Sequence, residues 1–377
     1  MSGTNLLRQA RLDRGMKQSQ VVAKVRAIAD RMDAGAMSAS SLSVAISMWE
    51  NGKRTPDAVY RKIFRELYGR TNEELGFPPD PVAEPLAEEL ADRLVVAQRV
   101  DAETVELFRQ QTEMARRADR RLGSAARLDQ LRGHIRELEH LMRHTIIRQH
   151  REQLAAALAD ALTLAGWDAL DAGSVRQAWE HHEQAKTAAR ESGSAALLAH
   201  ATGQQAFILM DIGEAADALA LLQEAQAIAG DRVPRLLRAW LAAALGEGYA
   251  TAGDRDGALR AFDQASALLP AETTHPELAF LFLGGSHLDR WRGNVLARLG
   301  EPGAVDQLTA VLAATPADFV RARAAVLVDL SYAHTRAGAR DAARDFARQA
   351  RRLVSQVGSV RQRRRLERLR LPGSVDL

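Results

Sequence analysis

Two sets of side chains in this 377-residue sequence have the types and spacings needed to bind something. One is the run Ile46-Ser47-Met48-Trp49-Glu50-Asn51-Gly52-Lys53-Arg54-Thr55-Pro56, where two adjacent cations follow a glycine. Cations and amides on a turn hold phosphate oxygens; the same pair with no phosphate nearby is a solvated basic turn. The other set lies far down the chain: Trp167, His200, Phe207, Trp240, His287 and Tyr332, with Arg290 and Asn294 among them. Gathered on one surface, these groups suit an apolar or aromatic ligand, or a peptide or helix with aromatic anchors. Taken singly, each ring is better explained by packing between helices.

Covalent chemistry has few candidates. The chain contains no cysteine, which removes disulfides, thiolate nucleophiles, iron–sulfur clusters and cysteine-ligated zinc. It has no Gly-rich phosphate loop, no His-Glu-x-x-His and no Gly-x-Ser-x-Gly. His134, His140, His144 and His150 are offset by 6, 4 and 6, so only the middle pair is one helical turn apart, and no carboxylate motif completes a metal site. They read as surface helix residues. Neither a catalytic residue nor a cofactor or metal is expected.

The basic run needs helices to present it. A first helix is expected over Leu6 to Arg14, stopped by Gly15. A second segment opens at Gln18, with Val21, Val25, Ile28 and Met32 on one face. After Gly35, Ser38, Ser40 and Ser41 are candidate caps for a third helix through Trp49. A fourth comes next, with Tyr60, Ile63, Phe64 and Leu67 inward. Leu7-Arg8, Arg11, Gly15, Gln18, Ile46-Ser47, Trp49-Glu50, Gly52, Arg54 and Pro56 together resemble the XRE, or phage-repressor, type of helix-turn-helix. The resemblance implies a third helix in the major groove of double-stranded DNA, with Ser43, Val44, Ser47 and Met48 facing the bases and Ile46 and Trp49 in the core. It also implies phosphate contacts from Gln18, at the positive end of the second helix, and from Asn51, Lys53 and Arg54. Gln18 to Ile46 spans 28 positions, twice the compact form of that pattern, and a longer second helix and loop must absorb the excess. The base-facing set has no Arg, Lys, Asn or Gln, the side chains that make bidentate base contacts. Readout then leans on thymine methyls, serine hydroxyls and DNA shape.

The rings need a different frame. Phe77-Pro78-Pro79-Asp80-Pro81-Val82-Ala83-Glu84-Pro85 cannot continue a helix and reads as a linker. Residues 86–150 read as a helical connector, ending in the apolar stripe Leu128, Leu131, Ile135, Leu138 and Met142. That stripe is either a dimer seam or the face that packs on the first repeat. From Leu154 onward the chain repeats. Gly173, Gly213, Gly253, Gly300 and Gly338 are spaced by 40, 40, 47 and 38. Alanines come after four of them at fixed offsets: Ala178, Ala218, Ala258 and Ala343, then Ala185, Ala225, Ala265 and Ala350; the Gly300 copy is one residue short. Glycine ends a first helix and small alanines let a second pack closely on it. The third copy, Leu245-Gly246, Tyr249, Gly253-Asp254, Ala258, Phe262, Ala265 and Pro270, resembles the tetratricopeptide repeat. Counting six residues back from each glycine gives Trp167, Phe207, Glu247, Asn294 and Tyr332; counting thirteen gives Asp160, His200, Trp240, His287 and Ala325. Joined by Arg290, these would line the concave side of the array.

The expected architecture is all-α: a helix-turn-helix domain over 1–76, a linker over 77–85, the connector over 86–150, a tetratricopeptide-like α-solenoid over 151–358, and a basic C-terminal helix and tail over 359–377. In that last segment Arg361, Arg363, Arg364, Arg365, Arg368 and Arg370 read as a solvated cap rather than a second nucleic-acid contact. Charge matches the division, since residues 1–76 carry thirteen basic and eight acidic side chains while the whole chain nets only +3. Met1 to Gln20 lacks the apolar run of a secretory signal, and Leu236 to Leu245, interrupted by Arg238, is too short to span a bilayer, so a cytoplasmic protein without a membrane partner is expected. The order of parts is similar to a group of actinobacterial regulators, and 46 Arg against 5 Lys fits a GC-rich genome. Peptide-pheromone receptors share the layout but clamp peptide backbones with asparagines, and only Asn294 lies after residue 72 here. The expected function is a homodimeric transcriptional regulator whose repeats sense a peptide, small-molecule or protein ligand; the alternative is an interaction scaffold without DNA binding.

Overall fold

A computed structural model describes residues 5–32, 37–78, 87–98, 100–123, 128–275, 278–281, 283 and 286–369, with backbone alone for 87–92. The chain divides into two compact units, Met1–Ala91 and Asp92–Leu377. Among the described residues every regular element is helical. Of the expected linker, Phe77 and Pro78 are described and Phe77 closes the core of the first unit; 79–85 lie outside the described residues, as do Gly35 and Arg370.

The first unit holds α1 (Leu6–Asp13), α2 (Gln18–Arg31), α3 (Ala39–Glu50) and α4 (Ala58–Tyr68). Local chemistry sets the ends. Asn5 accepts from the amides of Leu7 and Arg8, Ser38 from Ser41, and Asp57 from Tyr60, each satisfying orphan donors of a first turn. Of the three candidate serines it is Ser38 that caps α3. Gly15 and Gly52 take left-handed φ of 62° and 66° where α1 and α3 stop. Leu7, Val21, Val25, Leu42, Ile46, Ile63 and Phe64 form the buried centre, with Trp49 edge-on to Phe64 at 5.7 Å. The 14-residue α2 takes up much of the excess length before α3.

In the second unit, α5 (Ala87–Gln98) runs across the division, and α6 (Ala102–Leu122) and α7 (Leu128–His144) precede five antiparallel hairpins. These are α8 (Arg148–Asp171) with α9 (Val175–Glu191), α10 (Ala195–Ile212) with α11 (Ala215–Ala229), α12 (Arg235–Thr251) with α13 (Arg255–Leu268), α14 (His287–Leu299) with α15 (Ala304–Ala314), and α16 (Val320–Arg336) with α17 (Arg340–Val357). All five register glycines sit at the hairpin turns with φ between 75° and 93°. All eight register alanines are fully buried. In the short copy Ala304 and Val311 take their places one residue early. Seven residues before each glycine stands Gly166, Ala206, Gly246, Gly293 or Ser331, all buried, because the second helix crosses there; a Cβ on Gly246 would lie 2.6 Å from the Phe262 ring. The longest spacing, 47, accommodates the segment after α13, whose Leu278, Phe280 and Leu283 turn into the core.

The first helices α8, α10, α12, α14 and α16 pack in chain order, and the row closes on itself. Helix α6 packs on α8 at one end and on α16 and α17 at the other, while α18 (Val360–Arg368) packs on α8, α16 and α17. The apolar stripe of α7 packs on α8: Leu131, Ile135, Leu138 and Met142 are buried with Leu154, Leu158 and Leu162. It therefore covers the first hairpin, and its apolar face is used within the chain.

Candidate functional site

In the first unit the candidate groups lie on and beside α3. Ser43, Val44 and Met48 are exposed and Ser47 is half-buried, while Leu42, Ile46 and Trp49 on the opposite side enter the core. Val44 at 62% and Met48 at 40% exposure are apolar side chains left in water on a helix that had core positions to offer. Asn51 donates through Nδ2 to the Ser47 carbonyl at 2.7 Å, closing the helix end. Lys53 donates its amide to Met48 O at 2.9 Å, and Lys53 and Arg54 stand exposed on the turn behind it.

Gln18 begins α2 but its amide is engaged inside the unit. Glu50, 3% exposed, accepts from Arg11 Nε at 2.7 Å, Arg11 Nη2 at 2.9 Å and Gln18 Nε2 at 3.1 Å. A buried carboxylate needs such donors, and Glu50 in turn raises the Arg11 guanidinium above its ordinary value. One Nε2 hydrogen of Gln18 is thus spent on holding α1, α2 and α3 together, leaving one for an outside acceptor. Arg14 supports α4 similarly, donating to the carbonyls of Leu67 and Tyr68. Burial pushes the Tyr68 phenol up to about 12.

In the second unit the closed row surrounds a cavity of about 1070 Å³. Every residue counted six or thirteen before a register glycine lines it, as does Arg290. Their states differ. Phe207 and Trp240 are 4% and 3% exposed and act chiefly as packing between hairpins. His200 lies between Trp240, edge-on at 4.9 Å, and Phe280, tilted at 4.5 Å; burial first, then the Arg116 charge, pull its imidazole down to about 3. Tyr332 donates its hydroxyl to Arg365 O at 2.6 Å, and Asn294 donates to Asp329 Oδ1 at 2.6 Å. Both polar groups serve the wall itself.

Several lining residues escape the register count. Trp291 joins Phe207, Trp240 and His287 at centroid distances of 6.0, 5.8 and 5.6 Å. Its offset is nine before Gly300; that phase and the phase at two also yield Asp329, Asp171, Asp211 and Arg298. Steps of four, three and four from thirteen through nine and six to two run along one helix face, so extending the count finds them. Arg321, Arg361 and Arg365 come from the closing end. Arg361 holds Asp211 with two bonds of 2.7 Å, and Arg365 holds Asp329 at 2.7 Å. Arg321 pairs with Asp119 of α6 and, at 3.1 Å, with Asp171 of α8. Burial alone would lower the Arg321 guanidinium, but Asp119, Asp171 and Asp168 together raise it. Trp167 sits under both Arg321 and Arg361, at 5.4 and 5.3 Å from its ring centroid. Part of the basic C-terminal helix thus faces inward as a structural clasp, in place of the solvated cap that its composition suggests.

Glu247, Arg290 and Arg298 complete the wall. Burial raises the Glu247 carboxyl against the opposing pull of Arg298, Arg361 and Arg290. Burial likewise lowers Arg290 and Arg298, partly offset by Asp329 and Glu247. Among the described residues no group of three metal-ligating side chains occurs, and no helix is long and apolar enough to cross a membrane.

No protein-family model and no curated protein matches the chain. Solved structures that resemble it in part include two of one protein. One contains the nearly identical TPR-like repeats of a kinesin light chain from Podosopora anserina, 19% identical, covering 54% of this chain and 97% of that one with a TM-score of 0.35. The other is a variant of the same protein, 20% identical with the same coverage and TM-score. At that overlap the solenoid assignment rests on the hairpins themselves: five antiparallel pairs, turned at register glycines, with alanines at each crossing.

Proposed function

We propose that the chain is a DNA-binding transcriptional regulator whose repeat ring holds a ligand or protein partner. The observation that carries the reading is the outer face of α3. Ser43, Val44, Ser47 and Met48 lie over a complete core and are flanked by the exposed Lys53–Arg54 turn, in a basic unit resembling an XRE-type helix-turn-helix. In this reading α3 enters the major groove, Val44 and Met48 meet thymine methyls, and Asn51, Lys53, Arg54 and the free hydrogen of Gln18 hold phosphates. One small domain buries too little surface for useful affinity, so a homodimer on two half-sites is part of the proposal. Each phosphate contact releases counterions, so K53A/R54A weakens binding to all sequences and lowers the slope of log K against log salt by roughly 2. An unchanged slope removes both residues from the phosphate grip.

A second reading, an interaction scaffold that does not bind DNA, is favoured by the stacked hairpins and by the absence of any bidentate base-reading side chain among the four α3 residues. Retention on genomic DNA fragments at low and moderate salt separates the two. The scaffold gives none at either.

A further inference from the structure

We propose that the ring cavity takes a small planar aromatic anion, its ring system against Trp291 and its charged group between Arg290 and Arg298. The inference names the ligand class for the ligand-holding reading above and rests on it. Size and enclosure come first. A cavity of about 1070 Å³ suits a metabolite-sized molecule, and among the described residues the hairpin row closes through α6 and α18.

The wall then distinguishes one side from the other. Phe207 and Trp240 are almost fully covered, and Trp167 already lies under two guanidinium groups. Trp291 is half-buried and backed by Phe207 and Trp240, and among the described residues no guanidinium stacks on it. With the half-buried Phe319, it is aromatic surface left for a guest, and of the two it is the one beside Arg290 in the chain.

Charge is the second discriminator. The described lining has nine arginines against six carboxylates. Arg116, Arg321, Arg361 and Arg365 each hold a carboxylate. Arg290 and Arg298 instead bond neutral groups, the His287 ring at 2.5 Å and the Thr251 hydroxyl at 3.0 Å, and no described carboxylate lies within ion-pair distance of either. Both are half-buried in the wall, and that burial lowers their basicity. A cation drawn out of water without a close counter-charge is costly; Asp329, the acid acting most on Arg290, is already held by Arg365 and Asn294, and Glu247, the acid acting most on Arg298, is itself pushed toward its neutral form by burial. An anionic guest would supply the missing charge, while a neutral one would leave the cost in place.

The test is calorimetric titration of the full chain with three probes: 1-naphthaleneacetate, its uncharged amide, and cyclohexaneacetate. The expected result is that the aromatic acid binds at least tenfold more tightly than either of the others. R290Q/R298Q should abolish the preference for acid over amide, R290K/R298K should retain most of it, and W291L should abolish the preference for naphthalene over cyclohexane. Equal binding of acid and amide, or a preference that survives R290Q/R298Q, overturns the inference while the ligand-holding reading stands. Failure of all three probes to bind at millimolar concentration overturns both for small molecules, and leaves a protein partner.

Discussion

The two units display their candidate groups in opposite ways. In the first, Ser43, Val44 and Met48 project from α3 into solvent while Ile46 and Trp49 beneath them carry the packing. In the second, the residues lining the cavity are also what joins the hairpins: Phe207 and Trp240 between neighbours, Arg321 and Arg361 across the closure. An outward face can change its chemistry without touching the core behind it. A cavity wall built from the closing contacts cannot, so the chemistry of the wall and stability are tied together in the ring and separable in the smaller unit.

The largest effect should come from breaking the closure. In Arg321→Met, Asp119 and Asp171, 7% and 3% exposed, lose the cation that faces them. Removing one partner of a buried pair costs about 3–5 kcal/mol, which denaturant unfolding monitored through the cavity tryptophans would measure. K53A/R54A, on the exposed turn, should stay within about 0.5 kcal/mol of the natural chain. Comparable losses in the two variants would show that the contrast between the units is false.

Acid should separate the units next. Burial, then the neighbouring His181 and Lys186 charges, hold His182 near 3, and His200 is held at a similar value. Both folded values lie below the ordinary 6.5, so between them the unfolded chain binds protons that the folded ring refuses. The stability of the ring is therefore full above about 6.5 and falls as pH drops toward 3, by about 1.4 kcal/mol per pH unit for each histidine. His134, His181 and His334 are shifted in the same direction. All ten histidines lie after residue 91. Thermal scans at pH 7, 6 and 5.5 should move the transition of the ring and leave that of the first unit in place; a first-unit transition that moves equally rejects this account.

Local patterns make much of this legible in the sequence. The four helices of the first unit come from apolar spacing and punctuation by Gly15, Ser38 and Gly52. The repeat register locates ten cavity positions because packing requires the same small residues at every crossing. What the register does not reach is closure. Arg321 and Arg361 meet Asp119 and Asp211, 202 and 150 residues away, only after the intervening hairpins have added their rotations, and no local spacing encodes that sum. Gln18 departs in part from its expected role for a related reason: its amide is claimed by Glu50, 32 residues away. The α7 stripe admits two readings on sequence alone, and α8, the element beside it, decides between them.

The smallest effects sharpen the comparison within the ring. Gly166 and Gly133 are both interior to helices, where alanine gains up to about 1 kcal/mol by propensity alone. At Gly133 a Cβ would meet nothing within 4 Å, so Gly133→Ala should raise stability by that amount. At Gly166 the new carbon would lie 2.6 Å from His182 Nε2 and 2.8 Å from two further ring atoms, and that ring is fully buried. Overpacking of this kind costs about 1–3 kcal/mol, which outweighs the propensity gain, so Gly166→Ala should lower the midpoint of unfolding. A methyl group would then be welcome on the outside of the ring and rejected at its crossings, the same division between free and committed surface that separates α3 from the cavity wall. If both alanines raise the midpoint, the crossings are looser than the helix contacts imply, and the link between the chemistry of the wall and stability fails with them.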